Sequence, residues 1–368
     1  MYHLDACQHE VVSASGPDSR SRAWPDPVRW SVAMDRALYG PDGFYVAGPG
    51  AAGHFRTSAS ASVGEIFADA LAELLSRVDA ALGHPDALDL VDVGGASGGL
   101  VTAIVDSVGP RLRARVRPCV VERRARPAGL AANVCWLEQI PDMTGLLIAN
   151  EWLDNIAIDV VAGDDVLAAE VSATVLLVDG DGTESPGSAP TSEETAWLSR
   201  WWPSGDRREI GLHRDRAWAG AVAHVRRGLA VAIDYAHVAD ERPAYGTLTG
   251  FRLGRETEPD PDGSCDITAH VAIDSVAVAG EEAASAVRHG AAPPVRSVRT
   301  LLTDQRTALR LLGVSGRRPD YDADPGGYAA ALQRASDCAD LIDPAGLGAF
   351  AWLLQGIDLD LDPTALLA

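Results

Sequence analysis

Lysine is absent: all 31 basic residues of this 368-residue chain are arginine. That excludes a Schiff-base lysine and the lysine of the G-x-x-x-x-G-K-[ST] phosphate loop. Cysteine is scarce and scattered, at Cys7, Cys119, Cys135, Cys265 and Cys338, with no C-x-x-C spacing. Neither a zinc site nor a disulfide framework is indicated, no metal is expected, and a reducing cytoplasm suits such a chain. Positive charge is in deficit, with a formal net charge of −21, which argues against nucleic acid and anionic membrane and suits a protein partner. Long apolar runs are missing too. None approaches ~18 residues and the N-terminus has no apolar segment, so the reading is cytoplasmic, with neither signal peptide nor membrane span.

What is present is organised around LDLVDVGGASGG, residues 88–99. An apolar strand ends in Asp92 and breaks into a glycine loop before an apolar helix over residues 100–108. Glycines there let the backbone approach a ligand, and the helix start offers free N–H groups. Three chemistries compete for this turn. A dinucleotide loop G-x-G-x-x-G fails at Ala96, and the next strand-end acid, Glu122, is beyond the usual ~20 residues. G-x-S-x-G is satisfied by Gly95, Ser97 and Gly99, which would make Ser97 a hydrolase nucleophile, and Asp234 and His270 follow in the required order. The pattern acid-x-G-x-G-x-G, with Asp92, Gly94, Ala96 and Gly98, suits the methionine end of S-adenosylmethionine, whose ammonium and sulfonium a carboxylate attracts.

Beyond the turn, residues 117–122 read as a second strand that delivers Glu122 to the position where a carboxylate accepts ribose hydroxyls, or leaves it a surface carboxylate among Arg123, Arg124 and Arg126. A third strand near residues 134–137 offers Trp136 as an adenine wall or core residue. The strand over residues 146–149 carries Asn150, Glu151 and Asp154 to its carboxyl end. Two carboxylates three apart can grip a guanidinium fork, or Asn150 can cap a helix with acids in its first turn.

An insertion, residues 156–228, alternates in IAIDVVAG, VLAAEVSA and TVLLVDG, predicting two or three antiparallel strands. A capping box from Thr191 to Glu194 then opens a helix with Trp197, Trp201 and Trp202, the last two candidates for an acceptor groove or a core. Glu209 is expected near the acceptor. After a strand at residues 229–233, Asp266 reads as the N-cap of a helix containing His270. The remainder reads as helical: residues 303–312, 325–341 and 344–355, with no evident closing strand between 287 and 298. The division is 1–28 poorly defined, 29–155 N-terminal helices and cofactor half, 156–228 inserted lobe, 229–300 second half of the sheet and 301–368 C-terminal helices.

Eight blocks, ALYGPDGFY, GHFRTS, DVGGASGG, IANEWLDN, RREIG, LAVAIDYA, YGTL and CDITAHV, stand in the order seen in MidA-like methyltransferases. These are the mitochondrial complex I assembly methyltransferases and their bacterial relatives, which the chain resembles over about residues 30–356 as a divergent member. Ala96 stands where relatives carry glycine, fitting if its φ is negative, and Ser97 where they carry arginine. The resemblance implies an α/β, doubly wound Rossmann-like class I sheet of seven mostly parallel strands with an inserted β/α lobe and helical C-terminal segment. It implies S-adenosyl-L-methionine as cofactor and methylation of an arginine side chain on a protein partner. The expected cofactor residues are Thr57, Ser58, Asp92, Gly94, Gly95, Ala96, Gly98, Glu122 and Asn150, and the expected catalytic ones Glu151, Asp154 and His270. A homodimer is compatible with all this, as are two rival readings: a silent cofactor-binding or assembly protein of the same fold, and the hydrolase.

Overall fold

The computed structural model describes residues 26–47, 58, 63–163, 173–286 and 297–368. Seven strands form the central sheet: β1 Leu88–Val93, β2 Val116–Val121, β3 Cys135–Leu137, β4 Met143–Asn150, β5 Val225–Asp234, β6 Val298–Asp304 and β7 Ala351–Ile357. Their order is β6-β7-β5-β4-β1-β2-β3. Every pair from β3 to β5 is parallel, and β7 alone runs antiparallel, between β5 and β6. The chain winds outward from β1 to β3, then returns to β4 beside β1. The carboxyl ends of β1 and β4 are therefore the switch point where doubly wound sheets hold ligands.

Both faces of the sheet are covered, which is why its central strands are near-continuous apolar runs. Leu146 and Ile148 of β4 join one core with helices α2 Gly64–Ala81 and α3 Gly99–Ser107, through Phe67, Leu71, Val101 and Ile104. Leu147 and Ala149 join the opposite core, with Trp218 and Val222 of α4 Leu212–Ala223 and Val276 of α5 Ile273–Ala286.

The inserted lobe is present as an antiparallel sheet of Asp159–Ala162, Thr174–Val178, Arg207–Ile210 and Glu184–Pro186, joined by Val28–Arg29. Most of VLAAEVSA lies outside the described residues. Helix α1, Trp30–Tyr39, packs Trp30, Met34 and Leu38 on one face of this sheet. On the other face the capped helix Ser192–Trp201 and Trp202 close a small core with Val161 and Ile210, so Trp202 is core rather than groove.

Three expectations fail. Residues 344–355 form a short turn, Leu347–Ala349, and then β7, because an apolar run such as AWLLQGI suits a buried strand as well as a buried helix. The C-terminal segment is thus helical only in part, since β6 and β7 complete the sheet from residues on both sides of position 300. Asp266 caps no helix; Asp266–Thr268 pairs antiparallel with Thr249–Arg252, and α5 begins only at Ile273. Among the described residues no helix is long and apolar enough to cross a membrane.

Candidate active site

Between β1 and α3 the backbone turns left-handed three times, at Gly94 (φ 73°), Ala96 (φ 49°) and Gly98 (φ 76°). The condition on which Ala96 would fit, a negative φ, is not met, and an alanine there carries strain of roughly 1 kcal/mol. Glycine is required at 95 for a different reason: a Cβ would stand 2.5 Å from Asp92 Oδ2. Asp92 lies directly beneath the loop, 2% exposed, with Oδ2 lacking any hydrogen-bond partner. Burial, then the nearby Glu122 carboxylate, pushes Asp92 up to about 7.

Glu122 follows β2 and reaches back to the loop, where Oε2 accepts from the Ala96 N–H at 3.2 Å while Oε1 accepts from Arg124 N–H at 3.1 Å. A carboxylate has about four lone-pair sites, so two remain for other donors. Trp136 donates its indole N–H to the Arg124 carbonyl and is not among the residues lining the cavity.

At the end of β4 the chain turns instead of starting a helix, and Glu151 takes a left-handed φ of 51°. Its Oε1 accepts from Ser58 N–H and from Asn150 Nδ2, both at 3.1 Å. Asn150 Oδ1 is buried without a partner. Ser58 is fully buried and its hydroxyl meets Gln305, so it backs Glu151 from behind. Thr57 lies outside the described residues. Burial first, then the charge of Asp154, pushes Glu151 up to about 8, against the two bonds that favour its ionised form.

Asp154 is also buried; it accepts from Thr268 Oγ1 at 3.1 Å and from Asn155 Nδ2 at 2.9 Å. The turn that carries it is fixed by two groups. Asp234, at the end of β5, accepts from the N–H groups of Leu153 and Asp154 at 2.9 and 3.1 Å, and from that of Tyr235 at 3.0 Å. Arg214 of α4 donates to the carbonyls of Asp154, Ile156, Ala269 and His270 at 2.6–3.1 Å. Burial pulls the Arg214 guanidinium down, and Asp154 and Asp234 hold it up.

Asp92, Gly94, Gly95, Ala96, Glu122, Asn150, Glu151 and Asp154 line one cavity of about 1280 Å³. That exceeds the ~300–1,000 Å³ of a pocket for one small ligand, so a cofactor and part of an acceptor fit together. Tyr39 and Tyr45, stacked at 5.6 Å, and Asn155 line the cavity too. His270 does not line it; the ring stacks on Tyr235 at 5.8 Å. Glu209 is not at the cavity either: its buried carboxylate accepts from Thr247 Oγ1 and Leu248 N–H at 2.8 and 2.7 Å, holding the YGTL loop. Ser97 has no triad, since Asp234 spends both carboxylate oxygens on backbone amides. Arg214 and Tyr39 were not legible as site residues: an arginine on an amphipathic helix and a tyrosine before a turn carry no local signal.

The unpartnered oxygens of Asp92 and Asn150 are acceptors waiting for donors, and the loop beside them admits close approach. Both fit the ammonium-bearing end of S-adenosylmethionine. A family described as "Putative S-adenosyl-L-methionine-dependent methyltransferase" matches residues 70–292. The chain belongs to this family. Its cofactor is S-adenosyl-L-methionine and its reaction class is methyl transfer. Two crystal structures from Burkholderia thailandensis share the fold, one of a "likely methyl transferase" bound to S-adenosyl-homocysteine and one of a native protein of the same superfamily. Each is 23% identical, covers 91% of this chain and 89% of its own, and superposes with a TM-score of 0.73. No curated protein matches the chain.

Proposed function

We propose that this methyltransferase acts in the cytoplasm on an arginine side chain of a protein partner. The observation that carries the reading is the pair of buried carboxylates, Glu151 and Asp154, on the same cavity as the glycine loop and two stacked tyrosines. Burial raises both acids, Glu151 to about 8, and so favours either a proton or a cation there. A guanidinium is a planar cation that carboxylates grip in a fork and that aromatic faces attract.

Asp92 and the amides of the glycine loop would hold the methionine end of the cofactor, Asn150 its ammonium, and Glu122 the ribose. A protein of the same fold from Burkholderia thailandensis binds S-adenosyl-homocysteine. Bound there, the cofactor supplies an electrophilic methyl group on a positively charged sulfur. Glu151 and Asp154 orient the guanidinium plane so that one nitrogen points along the line of attack. As the nitrogen–methyl bond forms and the sulfur–methyl bond breaks, that nitrogen must lose a proton. Glu151 takes it in its ionised form, which a bound guanidinium favours against the burial that raises its pKa. Asp234 and Arg214 keep the turn in place throughout.

Calorimetric titration with S-adenosyl-homocysteine, paired with Glu151→Gln, tests the assignment. The variant should bind within about twofold of the parent, because Gln retains the oxygen that accepts from Ser58 and Asn150. Transfer of labelled methyl to protein arginine, located by mass spectrometry, should fall at least ~100-fold. Transfer at the parent rate would remove Glu151 from the acceptor site. Binding with no transfer by either protein would mark a silent relative.

A further inference from the structure

Tyr45 meets two oxygens, and the hydrogens available decide which way each bond runs. Its hydroxyl lies 2.9 Å from Asn155 Oδ1 and 2.9 Å from Asp266 Oδ2. The Asn155 amide cannot be turned over, because Nδ2 donates to Asp154 Oδ1 at 2.9 Å and to the Glu151 carbonyl at 3.2 Å. Asn155 Oδ1 is therefore purely an acceptor, and a phenol has one hydrogen to give. Were Asp266 a carboxylate, two acceptors would compete for that hydrogen and one contact would hold none.

The other oxygen of Asp266 sharpens the problem. The residue is 2% exposed and Oδ1 has no hydrogen-bond partner. An ionised Asp266 would leave half its charge bare in the interior, which costs far more than a bare neutral carbonyl. The groups that act on it electrostatically are Glu151 and Asp154 from the turn after β4, Tyr235 after β5, Tyr39 from the helix Trp30–Tyr39, and Tyr45. None is a cation; the buried Arg214 spends its donors on carbonyls, and Arg252, on the strand paired with that of Asp266, donates to Ser264 and lies 3.8 Å from the Asp260 carboxylate. One hydrogen on Oδ2 settles both difficulties.

We propose that Asp266 is held as a neutral carboxylic acid that donates to Tyr45, which in turn donates to Asn155, making Asp266 a positioning residue for the acceptor end of the cavity. The chain of bonds runs Asp266 to Tyr45 to Asn155 to Asp154, so one acid fixes both the aromatic wall and a carboxylate that meets the acceptor. Its neutrality leaves the ionisable charge facing the acceptor to Glu151 and Asp154. Burial, then Asp154, pushes Asp266 up to about 7, in keeping with the hydrogen count. The link to the acceptor rests on the arginine reading above; the position of the proton does not.

Infrared difference spectroscopy of the whole protein, parent minus Asp266→Asn, reads the proton directly. At pH 6 the parent should show a protonated carboxyl band that the variant lacks; no such band overturns the proposal. Binding of Nα-acetyl-arginine amide in the presence of S-adenosyl-homocysteine reads the positioning. Asp266→Asn carries an N–H where the acid carries O–H, so affinity should stay within about twofold, whereas Asp266→Ala and Tyr45→Phe should each lose at least ~tenfold. Equal loss in the Asn and Ala variants, with S-adenosyl-homocysteine binding intact, would mean that the charge and not the donor matters, and would also overturn it. A parent that shows the band but binds no arginine amide would refute the acceptor reading alone.

Discussion

Gly95 shows how one missing side chain shapes the cofactor end. An added Cβ would lie 2.5 Å from Asp92 Oδ2, 2.8 Å from its Cγ and 3.0 Å from Val120 Cγ1. Asp92 cannot retreat, because it is buried at the end of a central strand with β2 and β4 on either side. The loop would have to lift, taking the N–H groups of residues 95–98 with it. Gly95→Ala should weaken S-adenosyl-homocysteine at least ~tenfold, about 1.4 kcal/mol, while Ser97→Ala on the same loop should change little. Calorimetric titration of both variants checks this, and equal affinities would detach the loop from the cofactor. Ser97 then serves as the control that an esterase reading could not tolerate.

At the scale of elements, the acid-bearing turn after β4 depends on a residue from another part of the chain. Arg214 of α4 satisfies four carbonyls from residues 154–156 and 269–270, tying the sheet, the lobe helix and the segment after β5 together. Arg214→Met would leave those carbonyls buried and unpaired and Asp154 and Asp234 without their cation. Destabilisation of at least ~3 kcal/mol is expected, read as a fall in the calorimetric Tm; Lys, with three donors and no fork, should recover little of it. This dependence is what the sequence could not display. The glycine loop, Glu122 and the Asn150–Asp154 turn were legible because strand, turn and acid are consecutive in the chain. Asp266 was misread because its strand is defined only by pairing with Thr249–Arg252, and β7 because an apolar run does not reveal whether its neighbours are strands. Glu209 looked like an acceptor residue for its position after two arginines, yet its loop partner lies 38 residues away in the chain.

For the molecule as a whole, buried acids set the response to pH. Burial raises Asp92 and Asp266 to about 7, Glu151 to about 8 and Asp215 to about 6, and it raises Asp154 and Asp234 as well. Between the unfolded carboxylate values near ~4 and these folded ones the native state holds more protons than the unfolded chain, so its stability must fall as pH rises. Two groups oppose this: burial lowers His237 to about 3 and lowers His270 as well, so below their ordinary values the unfolded chain gains protons there. Six raised acids outweigh two histidines, and the net sign holds. The formal net charge of −21 adds self-repulsion in the same direction. Without ligand, the protein should lose on the order of a few kcal/mol of stability from pH 5 to pH 8, read from urea midpoints. S-adenosyl-L-methionine brings positive charge to Asp92 and Glu151, so its binding should favour their ionised forms and release protons. Titrations near pH 7 in buffers of differing ionisation enthalpy should then give different apparent binding enthalpies, whereas S-adenosyl-homocysteine, lacking the sulfonium charge, should release fewer. Equal release by the two would place the proton exchange at the ammonium end, with Asp92, and leave Glu151 unmoved until the acceptor arrives.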